Sequence, residues 1–365
     1  MCSSDLYLRD ARFPRSLEHL RRLEVLLSSW SQRSAENARR AKDRLFGVQN
    51  GRKARGGMLT GLLDPGLMRQ KKAAEELLRQ SVAARPELQS AQGAWDDIRA
   101  AQQAIARDAA PYDLLEGGQA FDSTLFHIAR TLLRGAEEKT IPSGKRLREF
   151  RESNRESLEL ELFSEEPLYD DFEALRLGDS LTWLCEKLGV THSLVQQILA
   201  GKSPSARAAE LIGGTRLKDV ALRKRLYAGS AAEVAATGDP MIELARLVDA
   251  EARRLRKALE AQDELKRQAY AKIAAARFAL QKDLTFPDAT FTLRLAFGAV
   301  KGYEENGQAV PFQTTFAGLY ERAAEHAFQP GQQAAPSLAR RHPAQAAERD
   351  TPFPAKPGVR LAARG

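Results

Sequence analysis

Cysteine is nearly absent from this chain: Cys2 and Cys185 are the only two in 365 residues, and they lie far apart in unrelated contexts. No disulfide framework and no cysteine zinc site can be built from them. Cys185 falls in LTWLCEKLG, a helical pattern in which a buried, inert thiol is expected. Aromatic residues are scarce as well, at 7%. Ala-, Leu-, Arg- and Glu-rich blocks take their place, which favours helices over a β-sandwich. No stretch approaches the ~18 consecutive apolar residues of a membrane span, so none is expected. A signal-peptide pattern is missing from the start. MCSSDL joins abruptly to YLRDARFPRSLEHL, and residues 1–9 are expected to be a non-native or disordered leader.

Metal and nucleotide chemistry are equally short of residues. The histidines are His19, His127, His192, His326 and His342, and no two have the H-x-x-x-H spacing of a metal pair. Each is expected on the surface or in packing, and neither a metal nor a cofactor is expected. Gly201-Lys202-Ser203 looks like the end of a phosphate-binding loop, but Gln196 stands where that loop needs glycine. Ser203 as a helix cap and Pro204 in the first turn explain the same letters. Gly178-Asp179-Ser180 resembles the nucleophile segment of chymotrypsin-type proteases, yet Leu181 follows where glycine belongs. A helix start capped by Asp179 or Ser180 is expected there. The acidic pairs Asp96-Asp97, Glu165-Glu166 and Asp170-Asp171 read as solvated faces. No catalytic residue emerges from the residues alone.

The formal net charge is +8, but it sits at the ends: residues 1–55 carry +7, residues 329–365 carry +4, and the long middle is −3. A nucleic-acid-binding body concentrates positive charge on its folded surface, so no nucleic-acid partner is expected. With 43% hydrophobic residues the chain has enough apolar material for a core.

What is present is helical periodicity. Leu20, Leu23, Leu27 and Trp30 mark one amphipathic helix, and a second begins near Ala35. Gly51, Gly56, Gly57 and Gly61 are costly within that second helix and suggest close packing or a break. Asp64-Pro65 opens the next helix, and the design repeats from Pro86 to about Ala110. Residues 121–135 form another. Gly189 and Gly201 are stop signals. The longest helix runs from Asp239-Pro240 to about Gln281, with Leu244, Val248, Leu255, Leu259, Ala269, Ile273 and Leu280 along one stripe. Its length is on the order of 60 Å.

The period then changes. Phe291, Leu293, Leu295 and Phe297 alternate with Thr292, Arg294 and Ala296, the pattern of a half-buried strand. Asn306-Gly307 is a two-residue hairpin signal. One hairpin is marginal alone and expects a sheet to join. Residues 328–365 lose all periodicity and read as a disordered or frame-shifted tail.

Three stretches, taken together and in this order, carry a resemblance: SLELELFSEEPLYDDFEALRLGDSL, LAGKSPSARAAELIGGTRLKDVALRK and FPDATFTLRLAFGAVKGYEENGQAVPFQTTFAGLYERAAEH. The chain resembles, from about residue 10 to about residue 327, the bacterial dipeptidyl peptidases 7 and 11. These are serine exopeptidases in which a chymotrypsin-like double β-barrel carries a large helical insertion. The resemblance implies a mainly α chain: a helical (cap) domain over residues 10–283, then the first strands of an incomplete trypsin-like barrel over residues 284–327. In such enzymes the catalytic His, in an Asn-His-His-Cys setting, and the Asp precede the insertion, and the Ser, in Gly-Asn-Ser-Gly-Ser-Pro, follows the returning strands. None of these motifs occurs here. The expectation is therefore an inactive fragment that supplies the helical, substrate-selecting part.

The resemblance also implies one binding residue. Family members use an asparagine of the helical domain to help seat the free α-ammonium of the substrate. LFGVQNGRKARGGML is similar to that stretch, which makes Asn50 the candidate. An amide oxygen can accept a hydrogen bond from an ammonium, and neighbouring glycines permit close approach. Peptide substrates, a homodimeric complete enzyme and a periplasmic or secreted location follow from the same resemblance. The alternative reading is a stand-alone helical interaction module that self-associates through the 240–281 helix.

Overall fold

Asp64 shows how the helices are punctuated. Its carboxylate accepts the Gly66 N–H at 2.7 Å and the Leu67 N–H at 3.3 Å. Pro65 takes the first helical position, where its missing N–H costs nothing. One residue thus ends α3 (Ala35–Leu63) and starts α4 (Pro65–Ala83). The computed structural model describes residues 2–280, 298–305, 307–318 and 321, and its fold is mainly α. Contacts divide the chain into two units, Met1–Asp283 and Leu284–Gly365.

In the first unit α1 (Cys2–Tyr7) passes through a π-helical turn (Leu8–Arg12) into α2 (Phe13–Ser31). Residues 2–9, read above as a leader, are helical, and the reason is apolar burial. Leu6 and Leu8 pack against Phe13, Leu62 and Met68. Asp5 pairs with Lys71 at 2.9 Å.

After α4 come a 3₁₀ turn (Pro86–Ala91), α5 (Ala94–Leu115) and α6 (Thr124–Glu138). Pro86 therefore opens the 3₁₀ turn and not the long helix, which starts eight residues later. Pro111 lies inside α5 where the sequence suggested an end. The missing backbone donor costs one hydrogen bond. Ile105 and Ala109 before it, and Leu114 and Leu115 after it, are all buried, and that burial keeps the helix continuous through Pro111.

The remaining helices are α7 (Arg155–Leu162), α8 (Asp170–Leu188), α9 (Ser193–Leu199), α10 (Pro204–Gly214), α11 (Val220–Ala228), α12 (Ala231–Ala236) and α13 (Pro240–Leu280). Gly189 and Gly201 end α8 and α9 with φ of 87° and 76°, angles an L side chain rarely adopts. The Ser203 hydroxyl caps α10 by accepting the Ala206 N–H at 3.3 Å.

At 41 residues α13 is the spine. Its N-terminal half buries Met241, Ile242, Leu244, Val248 and Leu255 in the main core, with Leu125, Leu132, Leu177, Leu181 and Leu211 from α6, α8 and α10. Its far half packs Ala269, Ile273 and Ala276 against Trp95 and Ile98 of α5 and Val82 of α4. A buried ion cluster fixes the rotation of α13 against α6. Arg134, 4% exposed, donates two bonds to Glu116 at 2.9 and 2.6 Å and one to Asp249 at 2.6 Å. Burial pulls the Arg134 pKa down, but these carboxylates outweigh it and the guanidinium ends above its ordinary value.

In the second unit β1 (Tyr303–Glu305) and β2 (Gln308–Val310) form an antiparallel pair, Tyr303 opposite Val310 and Glu305 opposite Gln308. The register leaves two residues, 306 and 307, between the strands, and Gly307 has φ 77°, an angle glycine adopts readily. The strand expected at 291–297 and the tail at 328–365 lie outside the described residues.

The glycine-rich stretch does not break α3, which is continuous through Gly51, Gly56, Gly57 and Gly61. Only Gly51 is closely packed, with Leu20 3.7 Å from where a Cβ would sit; at Gly56, Gly57 and Gly61 nothing lies within 4 Å. Gly56→Ala is accordingly expected to stabilise the protein by about 0.5–1 kcal/mol. A urea titration checks this, and a lowered midpoint would show that the helix needs the glycine there.

Candidate functional site

Asn50 belongs to α3, and its direction follows from what the helix buries. The Ser34 hydroxyl starts α3 by accepting the Asn37 N–H at 3.0 Å. From there Ala41, Leu45 and Val48 turn inward on Leu23, Leu27 and Trp30 of α2 and on Phe172 of α8. Trp30 and Phe172 stack with ring centroids 4.7 Å apart. At about 100° per residue, Asn50 lies about 200° around the helix from Val48. It is exposed. Among the described residues its side chain makes no hydrogen bond.

One side of Asn50 is bare, while Phe46 and Lys53, four residues before and three after it, stand exposed on the other. Gly47, Ala54 and Gly57 share its side of α3 and are exposed, and beside Gly47 and Gly57 nothing lies within 4 Å of a built Cβ. Phe46 and Met58 flank this strip at 65% and 50% exposure. An uncommitted amide therefore stands beside helix surface left open at Gly47 and Gly57.

The inner face is held by arginines. Arg22 of α2 donates to Asp179 at 2.9 Å and to Glu186 at 2.6 Å, both on α8. Arg40 of α3 lies 3.9 Å from the centroid of the Tyr169 ring and bonds Asp171 at 3.0 Å. Arg52 pairs with Glu24 of α2 two residues from Asn50. Arg44 reaches deepest, to Asp122 at 2.5 Å, and Arg176 of α8 meets the same carboxylate oxygen at 2.7 Å. Burial pushes Asp122 up, but Arg176 and Arg44 outweigh it and leave its pKa below the ordinary carboxylate value. Next to it, Glu173 accepts the Ser123 hydroxyl at 2.6 Å and the Thr124 N–H at 2.8 Å at the start of α6, and Arg176 at 2.9 Å. A carboxylate at that end of a helix is favoured by its dipole.

The other residues singled out in the sequence do not converge. Asp179 and Ser180 lie inside α8, which begins ten residues earlier than a cap role requires. The cause is the apolar run Phe172, Leu177, Leu181 and Leu184, which buries one continuous helical face. Ser180 is structural: its hydroxyl donates to the Leu177 carbonyl at 2.9 Å and accepts the Asp122 N–H at 3.0 Å. Cys185 is half-buried, with burial pushing its thiol up. His192 caps α9, its Nδ1 accepting the Leu194 N–H at 3.2 Å. Asp96, Asp97, Glu165, Glu166, Asp170 and Asp171 are exposed. His326 and His342 lie outside the described residues, and among the described residues no cluster of His, Cys, Asp and Glu could hold a metal. Asp122, Glu173 and Arg176 were not visible in the sequence; the one hint was Asp122-Ser123-Thr124 ahead of an apolar run, a capping pattern.

Fold and composition together define a mainly helical body followed by a short antiparallel hairpin. This chain belongs to the peptidase S46 family, whose model matches residues 4–348 and so spans both the helical body and the hairpin. It is a serine peptidase family of the dipeptidyl peptidase type. No curated protein matches the chain. Among the described residues no helix is long and apolar enough to cross a membrane.

Asp122→Asn leaves the buried Arg176 guanidinium and the part-exposed Arg44 sharing a neutral amide, and the expected loss of stability is about 3–5 kcal/mol. Because the folded pKa of Asp122 is depressed, its contribution is present above about pH 4 and is lost as pH falls through the folded value. Denaturant titrations from neutral to acid pH check both points: the variant should show a smaller acid-dependent fall than the native chain. Equal stability of the two at neutral pH would contradict the assignment.

Proposed function

We propose that the helical body selects substrates for a serine dipeptidyl peptidase, with Asn50 accepting a hydrogen bond from the free α-ammonium of a bound peptide. The observation that carries this reading is the exposed Asn50 amide with no partner among the described residues, set on a glycine-lined strip of α3. Such a strip lets a peptide main chain approach the helix backbone. An enzyme that removes two residues must fix the ammonium at a set distance from the scissile carbonyl, and a rigid helix is a suitable support.

The nucleophile, its histidine and its aspartate come, in this reading, from a chymotrypsin-like body of which the hairpin sequence resembles a returning part. The acyl transfer then follows the Ser-His-Asp scheme. Residues 1–365 contain neither Asn-His-His-Cys nor Gly-Asn-Ser-Gly-Ser-Pro. A periplasmic or secreted location goes with the family.

In the complete enzyme, Asn50→Ala removes a hydrogen bond to a charged group, about 1.5–3 kcal/mol. The expected fall in kcat/KM on a dipeptidyl fluorogenic substrate is about 10- to 150-fold. Unchanged kinetics would remove Asn50 from the site. Residues 1–365 alone should show no turnover, and activity above a blank would overturn the proposed division of labour.

A further inference from the structure

A cavity of about 220 Å³ lies between α6, α7, α11 and the segment that follows α7, away from the Asn50 strip. It is the volume of roughly seven liquid waters, too small for a drug-sized ligand but suited to a molecule of amino-acid size. Thr124, His127 and Thr131 of α6 line one wall at helical spacing, with Ile128 and Leu158 supplying apolar surface. Thr131 is only 7% exposed, and among the described residues its hydroxyl has no hydrogen-bond partner. Thr131 lines the cavity, so its hydroxyl is left to bond whatever occupies that space.

The lining also includes a buried cation, Arg223 of α11. Arg223 is 2% exposed and is bonded only to carbonyl oxygens, those of Leu217 at 2.5 Å, Ser164 at 2.9 Å, Lys218 at 3.2 Å and Leu162 at 3.3 Å. These four bonds leave one of the five guanidinium N–H groups over, and no carboxylate forms an ion pair with Arg223 among the described residues. Glu161 and Glu166, both exposed, stand at the rim. His127 approaches Glu161 at 3.4 Å. A positive group inside, negative groups at the mouth and apolar surface between them match one kind of small molecule.

We propose that this cavity binds a small zwitterion with an apolar side chain, a free amino acid or a dipeptide. The carboxylate meets Arg223 and the Thr131 hydroxyl, the ammonium faces Glu161 and Glu166, and the side chain lies on Ile128 and Leu158. The peptidase reading enters only as a source of dipeptides; the site itself needs no catalysis.

Isothermal titration calorimetry on the full chain, with leucine and with glycyl-leucine, tests this. Binding with a Kd on the order of 1 mM is expected for at least one of them, and none for the uncharged N-acetyl-leucine amide. Thr131→Val, which keeps the side-chain shape, should weaken binding about three- to tenfold without lowering the melting temperature. Binding of leucine assigns the free amino acid, and binding of glycyl-leucine alone assigns the dipeptide. The site is overturned if neither binds, if the uncharged amide binds equally, or if Thr131→Val has no effect. Absence of peptidase activity in the complete enzyme, by contrast, would overturn the proposed function and leave this site standing.

Discussion

The position of α3 depends on one buried carboxylate. Asp122 sits between the end of α5 and the start of α6 and meets Arg44 of α3 and Arg176 of α8 through the same oxygen. Two guanidinium groups brought together repel unless an anion lies between them. The arrangement therefore has a narrow geometry, and Glu173 narrows it further by holding Arg176 and the first turn of α6 at once. Asn50 is six residues along α3 from Arg44, and whatever it meets is placed by this cluster.

The two faces of α3 are built on opposite principles. The inner face is crowded with Val48, Ala41 and the stacked Trp30 and Phe172, and is tied by Arg40, Arg44 and Arg52. The outer face around Asn50 sets the small Gly47, Ala54 and Gly57 beside the exposed Phe46 and Lys53. Glycine in mid-helix is destabilising, so a helix that carries several on open surface must be stabilised elsewhere. Burial and the ion pairs of the inner face serve that end. Rigidity on one side and free access on the other are what a positioning element requires.

Local chemistry was legible in the sequence. Asp64, Ser203, Gly189 and Gly201 act within a few residues of themselves, so reading the neighbours was enough to place the helix ends. The α13 stripe and the Asn306-Gly307 turn were legible for the same reason: periodicity and turn geometry are properties of short windows. The buried ions were not. Asp122 and Arg44 are 78 residues apart and Arg134 and Asp249 are 115 apart, and nothing local separates a charge that will be buried from one that will face water. Pro111 and Gly56 misled because tertiary burial outweighs local propensity. Asn50 became a candidate through resemblance; its exposure and lack of a partner among the described residues became visible only once α3 was packed.

The central claim is that the substrate ammonium rests on α3 at Asn50, and a structure of the complete enzyme with a non-hydrolysable peptide bound tests it most directly. The account predicts the peptide α-nitrogen at about 2.7–3.2 Å from the Asn50 amide oxygen, with the main chain running over the Gly47 and Gly57 side of the helix. An α-nitrogen seated on other groups, with Asn50 facing solvent, would contradict it.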